Sequence, residues 1–348
     1  MLRVLVINVG STSVKLALFQ DERQEYSVEV TLARKADFST IGDISSAVRG
    51  FLADSGRHPG DLDAVAARGG PLRPVPGGTY VVNQEMLDDL KSARFGMHAS
   101  NLSAVVADEI AREASIHAYV VDPVTVDELA DEARFTGIPS IRRRSIFHAL
   151  SQKAAARRAS AEIGKKYDES SLVVVHMGGG ITIGAHVNGR VVDVNNGLDG
   201  DGPITPERAG TIPAGSMAEL CFSGEHTHAK VKKMLTGNGG MFAYFGTNDM
   251  RLVDEKIQSG DPTAESLLKA MAYSIAKEIG SMSAVLCGNV DAIVFTGGLV
   301  RWSALMKLIE ERIDFLGPIM VYPDNLEMAA LAEGVLRVLR GEEQAQSY

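Results

Sequence analysis

A β-branched run that breaks on a polar glycine turn and resumes as a second apolar run occurs twice in this chain. No other feature constrains the fold as much. The first copy is Val4-Leu-Val-Ile-Asn8-Val-Gly10-Ser11-Thr-Ser13-Val-Lys15-Leu-Ala-Leu-Phe19, and the second is Leu172-Val-Val-Val-His176-Met-Gly178-Gly179-Gly180-Ile-Thr-Ile-Gly-Ala-His186-Val187. Apolar stretches of this length around a glycine turn read as strand hairpins. A third strand follows each: an alternating one over 26–32, and one over 190–194 after the Asn188-Gly189 signal of a two-residue turn. The copies begin about 170 residues apart, one in each half of the chain, so the repeat is one of structure and not of residues. It predicts an α/β protein with two mixed sheets flanked by helices.

The turns also carry chemistry. The first offers an amide, hydroxyls and the Lys15 ammonium close together, a set that suits a phosphate, with a hairpin of merely polar turn as the second reading of that stretch alone. Three consecutive glycines in the second let the backbone approach a ligand and present its N–H groups. The G-x-x-x-x-G-K-[ST] spacing is absent, which excludes a P-loop. Asp291-Ala-Ile-Val-Phe-Thr-Gly297-Gly298 ends a further strand on glycines. Asp63-Ala-Val-Ala-Ala-Arg68-Gly69-Gly70 places a guanidinium where backbone can lie against a ligand, and 118–121 is a strand ending in Asp122, where open α/β sheets put their ligands.

At 348 residues the chain is longer than one ordinary domain. A net charge of −9 argues against a general nucleic-acid binder, and the basic runs 142–144, 165–166 and 232–233 are short enough to be solvated faces. Asp127, Glu128, Asp131 and Glu132 also read as solvated. Two distant cysteines make no disulfide framework, no apolar run is long enough to span a bilayer, and the chain passes from Met1 into a strand; together these predict a cytoplasmic protein. Cys221, His226 and His228 lack a fourth ligand at suitable spacing for a metal. Helical spacing covers 41–52, 83–93, 102–114, 216–222, 264–286, 303–315 and 327–340. A long Ala-rich helix is predicted from 142 to about 167, with His148 in its first turn. The helix over 264–286 reads mainly as core, with a subunit interface as the second reading.

Asn8-x-Gly10-Ser11-x-Ser13-x-Lys15, Arg68-Gly69-Gly70, His176-Met-Gly-Gly-Gly180, the Thr-Gly-Gly298 turn and Glu327-Met-Ala-Ala-Leu-Ala follow one another in an order that resembles the acetate and butyrate kinases of the acetate and sugar kinase/heat-shock/actin superfamily. The segment 176–213, with Gly-Asp-Gly-Pro-Ile-Thr-Pro-Glu207-Arg208-Ala-Gly, looks specifically like the butyrate kinase branch. The resemblance implies duplicated ribonuclease H-like (actin-like ATPase) domains with a nucleotide cleft between them. These would be an acyl- and phosphate-binding domain over 1–147, rejoined by 325–348, and a nucleotide-binding domain over 148–324. It implies reversible phosphoryl transfer from ATP to butanoate, with ATP/ADP and Mg²⁺ bound, no membrane or nucleic-acid partner, and a homodimer or larger homo-oligomer. Alternatives are a kinase for acetate, propionate or a branched acid and, outside catalysis, an ATP-dependent clamp of the actin and heat-shock type.

The resemblance also distributes roles. Asn8, Ser11, Ser13 and Lys15 match the first phosphate hairpin, Gly178, Gly179 and Gly180 the second phosphate loop, and Gly297 and Gly298 the adenosine motif. Asp249 and Arg251 match the border of the adenine, with Asn248 beside them. Arg68 and Arg208 match arginines that clamp the acyl carboxylate and the transferring phosphoryl group. His148 matches a histidine that contacts that group, and Asp122 an active-site aspartate. Asn8 and Glu327 are associated with the metal. Gly69, Gly70, Met97, His98 and Phe147 would line the acyl pocket. Acetate kinases have Gly-Asn-Gly where this chain has 178–180, and two valines where it has Gly69 and Gly70. The missing valine side chains are expected to make room for two more methylenes, about 1.6 kcal/mol at roughly 0.8 per buried CH₂.

Overall fold

The computed structural model describes residues 1–324 and 326–348; Asn325, where the terminal segment was expected to begin, lies outside the described residues. The strands in chain order are β1 (Arg3–Val9), β2 (Ser13–Gln20), β3 (Arg23–Thr31), β4 (Ala64–Ala67), β5 (Thr79–Val81), β6 (His117–Val121), β7 (Ser171–Met177), β8 (Ile181–Val187), β9 (Arg190–Val194), β10 (Ala292–Thr296), β11 (Ile319–Tyr322) and β12 (Gln346–Ser347). The chain forms two compact units, one of Met1–Asp127 with Leu326–Tyr348 and one of Glu128–Asn325.

In the first unit the sheet order is β12-β5-β6-β4-β1-β2-β3. The meander β1–β3 is antiparallel, and β4 and β6 add in parallel beside β1. The second unit has the order β11-β10-β7-β8-β9, again an antiparallel meander with two parallel strands added beside its first member. Both units therefore share an antiparallel meander with two parallel strands added beside its first member, β4 and β6 in one and β10 and β11 in the other, and the duplication read from two glycine turns is a duplication of topology. The inner parallel strands are apolar on both faces because helices cover both: every residue of β4 and β10 is buried. The edge strand β3, Arg-Gln-Glu-Tyr-Ser-Val-Glu-Val-Thr, is mostly exposed, and its charges discourage further pairing.

Helix Asn101–Ala114 buries one face on the first sheet, and Pro262–Val285 buries Leu268, Met271, Ile275, Ile279 and Met282 on the second. Asp261 caps the latter, accepting from the Thr263 and Ala264 amides, with Pro262 at its first position. Two helices, His228–Leu235 and Gly240–Phe245, had no clear sequence signal.

The second unit begins at Glu128, well before residue 148. The Ala130 N–H donates to the Val192 carbonyl, and Arg143 donates to Asp193 at 2.8 Å and to the Val194 carbonyl at 3.0 Å, which tie 128–147 to β9. The Ala-rich helix is shorter than predicted, Ala149–Glu162, and His148 is its N-cap residue and not a first-turn residue. Glu128 is not solvated either. It is buried with Lys153, whose Nζ lies 3.0 and 2.9 Å from its two oxygens. Among the described residues no helix is long and apolar enough to cross a membrane.

Candidate active site

In the first unit, β1 delivers Asn8 to the sheet's carboxyl edge, and the hairpin register sets Lys15 directly across from it. Asn8 is buried and donates through Nδ2 to Glu327 Oε2 at 3.2 Å. Arg68 follows β4, its amide donating to the Ile7 carbonyl, and its Nη1 lies 3.5 Å from Glu327 Oε1. Glu327 opens helix Glu327–Leu339. Three segments far apart in sequence thus converge on one carboxylate. His98 joins them: its Nδ1 accepts from the Ser100 amide, and burial together with the nearby Arg68 charge lowers its pKa, so its ring is neutral at pH 7. Among the described residues no carboxylate lies within ion-pair distance of Lys15, and the Ser13 hydroxyl donates to Glu29, across the sheet, at 2.7 Å. Ser11 is exposed at the hairpin tip, where its carbonyl accepts from Ala36.

Asp122 stands at the end of β6, buried, with φ of +40°. One carboxylate oxygen accepts from the Gly78 amide at 2.8 Å while its own amide donates back to the Gly78 carbonyl, so this oxygen is spent on holding a turn. Met97 is exposed, and Phe147 is buried in the second unit.

The glycines after Arg68 do not open space, which corrects the expectation of extra acyl room. A Cβ on Gly69 would lie 2.5 Å from Val120 Cγ1 and 3.2 Å from Pro123 Cβ, and one on Gly70 would lie 2.7 Å from Asn101 Cγ and overlap its Oδ1. Both residues are buried. They are glycine because helix Asn101–Ala114 and β6 pack against the backbone there.

In the second unit the Gly178–Gly180 turn is closed by the Gly178 amide donating to the Gly180 carbonyl at 3.0 Å. Each glycine faces a different group. A Cβ on Gly178 would lie 3.4 Å from His176 Nε2, one on Gly179 3.3 Å from the Glu207 carboxylate, and one on Gly180 inside the Arg208 guanidinium. The Glu207 amide and the Thr205 hydroxyl both donate to the Gly179 carbonyl, fixing the 205–208 loop over the turn. Asn248 Nδ2 donates to Glu207 Oε1. Arg208 is half-buried, and burial lowers its pKa while Glu207 partly offsets this. Among the described residues its guanidinium has no ion-pair partner and no acceptor. A fixed, partly desolvated cation of this kind suits an anionic ligand.

His148 and His176 stack beside this turn, ring centroids 4.0 Å apart and 15° from parallel. Sequence reasoning singled out only the first. The signal for the second was its position before three glycines, which the register then sets opposite Thr182.

A cavity of about 800 Å³ adjoins the same turn, within the size range of small-molecule sites. Gly178, Gly179, Asp249, Arg251, Gly298 and Trp302 line it. Asp249 caps helix Met250–Gln258 and grips Arg251 through both oxygens, 2.9 Å to Nε and 2.6 Å to Nη2, which lowers the Asp249 pKa and raises that of Arg251. Trp302 donates from Nε1 to Asp254 at 2.8 Å, a wall residue that sequence reasoning missed. Gly297 has φ of +95°, and a Cβ there would lie 2.9 Å from the Met177 carbonyl carbon, so the strand end sits against β7.

Among the described residues no three His, Cys, Asp or Glu side chains form a metal cage. Mg²⁺ does not need one: it keeps several waters and takes one or two carboxylates together with substrate phosphates. Glu327, with the Asn8 side-chain oxygen beside it, fits that requirement.

The chain matches the description of the Acetokinase family over residues 132–337, more than half its 348 residues. It is similar to the crystal structure of Porphyromonas gingivalis acetate kinase, with a TM-score of 0.81 and 20% identity over 97% of this chain and 100% of that one. For a propionate kinase from Francisella tularensis the TM-score is 0.77 at 22% identity, covering 96% and 99%. A ROK hexokinase from Thermus thermophilus reaches 0.51 at 15% identity, covering 96% and 98%. The shared architecture is the duplicated α/β fold of the actin-like ATPases. The chain belongs to the acetokinase family, a family of carboxyl-group phosphotransferases.

Proposed function

We propose that this protein is a butyrate kinase, transferring the γ-phosphoryl group of ATP reversibly to the carboxylate of butanoate to give butanoyl phosphate and ADP. The observation that carries the reading is Arg208, a half-buried guanidinium laid on a glycine turn with no acceptor among the described residues, beside the His148–His176 stack.

A carboxylate is already a nucleophile, so the reaction needs no strong general base. One oxygen bonds to the γ-phosphorus as the bond to the β-phosphate bridging oxygen breaks, and ADP leaves with that electron pair. The barrier lies in bringing anions together and in charge on the equatorial oxygens, so catalysis is positioning and electrostatics. In this reading Arg68 holds the acyl carboxylate, with His98 beside it, and Arg208 and His148 meet the phosphoryl oxygens. Lys15 and the amides of Gly179 and Gly180 hold phosphates. The cavity lined by Asp249, Arg251 and Gly298 takes the adenosine. Asn8 and Glu327 would hold Mg²⁺, which neutralises phosphate charge when bound. Asp122 is the active-site aspartate of this reading, with one of its oxygens anchored by the Gly78 amide.

Since Gly69 and Gly70 leave no acyl space, the choice of butanoate rests on the likeness of 176–213 to the butyrate kinase branch. Within that segment Glu207 fills the place beside Gly179 where an asparagine side chain would stand. Initial rates of ADP formation with acetate, propionate, butanoate and isobutanoate test the specificity. The largest kcat/KM is expected for butanoate, and a larger value for acetate would reassign the substrate. Arg208→Ala is expected to lower kcat by about 10²–10³, the usual loss for one transition-state donor, with little change in ATP affinity. An unchanged kcat removes Arg208 from the site.

A further inference from the structure

A continuous hydrogen-bonded chain runs through the second unit from a buried histidine to His148. His186, on β8, is fully buried; its Nδ1 lies 2.9 Å from the Tyr167 hydroxyl and its Nε2 3.0 Å from Gln152 Oε1. Gln152, also fully buried, donates from Nε2 to Thr182 twice, to the main-chain carbonyl at 2.9 Å and to Oγ1 at 2.8 Å. Thr182 Oγ1 in turn lies 2.9 Å from His148 Nδ1.

The protons along this chain can be placed by elimination. A carbonyl oxygen only accepts, so the Thr182 carbonyl requires the Gln152 nitrogen at that end and turns Oε1 toward His186. Oε1 also only accepts, so His186 Nε2 carries a hydrogen. Burial, with Lys153 and Arg157 nearby, holds the His186 pKa well below its ordinary value, so the ring is neutral and its Nδ1 accepts from Tyr167. At the other end, the Thr182 hydroxyl has one proton and two lone pairs. Gln152 takes one lone pair, and the His148 backbone N–H faces the oxygen at 3.4 Å and takes the second. What the hydroxyl has left for His148 Nδ1 is its proton.

We propose that Gln152 and Thr182 are positioning residues that lock His148 as a neutral imidazole with its hydrogen on Nε2, so that it meets the phosphoryl group as a hydrogen-bond donor of fixed tautomer and not as an imidazolium. This rests on the reading of His148 as a phosphoryl contact and deepens it. The stack on His176 acts in the same sense, since two imidazolium rings face to face at 4.0 Å repel. A locked donor needs no reorganisation as charge builds on the equatorial oxygens.

Imidazole nitrogen–proton correlation spectra of the uniformly ¹⁵N-labelled full-length protein at neutral pH test the lock, with the His148 signals identified by their loss in His148→Gln. The wild type is expected to show a protonated Nε2 and an unprotonated Nδ1. Thr182→Val, which keeps the shape and loses the hydroxyl, should average the two tautomers. It should also lower kcat about tenfold, the effect of one lost hydrogen bond, with KM for ATP within about twofold. Thr182→Ser should restore both. A wild-type Nδ1 that carries a proton overturns the proposal, as does an unchanged His148 signature in Thr182→Val; should that variant not fold, the wild-type spectrum still decides. The expected tautomer together with full activity of His148→Gln would uphold the lock and refute the role given to His148.

Discussion

Gly70 and Asn101 meet where a side chain would have to go, and that contact changes what a substitution there does. Gly70→Val places two methyl groups into the Asn101 amide, whose nitrogen is committed to the Leu90 and Gly96 carbonyls. Overpacking of this kind costs about 1–3 kcal/mol. The variant is therefore expected to unfold at lower temperature while any activity it keeps shows the wild-type ratio of butanoate to acetate kcat/KM. A shifted ratio at wild-type stability would return Gly70 to the acyl pocket. The two-glycine reading failed for a physical reason. The sequence shows that the valines are absent, but Val120 and Asn101, which fill the volume, lie 51 and 31 positions further along the chain than Gly69 and Gly70. Arg68 and Glu327 were legible singly; that Asn8 and Arg68 grip the same carboxylate is a fact of the fold.

Among the elements, helix Ala149–Glu162 carries both Gln152 and Lys153, side by side in sequence and directed to different buried partners. Lys153 is 2% exposed and bonded to both Glu128 oxygens and the Gly189 carbonyl, while the Val191 amide donates to the same carboxylate. Lys153→Met strands a buried carboxylate and is expected to cost about 3–5 kcal/mol, and adding Glu128→Leu should recover most of it. Thermal unfolding of the single and double variants checks this, and additive losses would refute the pairing. Helix Pro262–Val285 carries Glu278, whose pKa burial raises to about 7, with Asp201 and Asp193 adding to the shift. A carboxyl that binds its proton more tightly when folded contributes stability below its ordinary pKa of 4.5 and loses that contribution as pH rises toward 7. The loss is at most about 3 kcal/mol. Glu278→Gln should flatten the fall in Tm between pH 5 and pH 8 and raise Tm at the upper end; an identical pH dependence would contradict the buried-acid assignment. The glycine hairpins were readable because turn and flanking strands are contiguous. The burial of Glu128 was not, because its partners arrive from other elements and a lone acidic residue reads as surface.

At the scale of the molecule, a strand order shared by two units is what the repeated strand–turn–strand pattern can encode, and helices on both sheet faces follow from the apolar β4 and β10. What the pattern cannot encode is which carbon chain the enzyme takes, since an acetate kinase and a propionate kinase share this fold. In the proposed function the chain makes an acyl phosphate. Incubation with ATP, Mg²⁺, butanoate and hydroxylamine traps that product as the hydroxamate. Hydroxamate equal in amount to the ADP formed, both abolished without butanoate, is the expected result. ADP released at the same rate with and without the acid, and no hydroxamate with any short-chain acid, would contradict it.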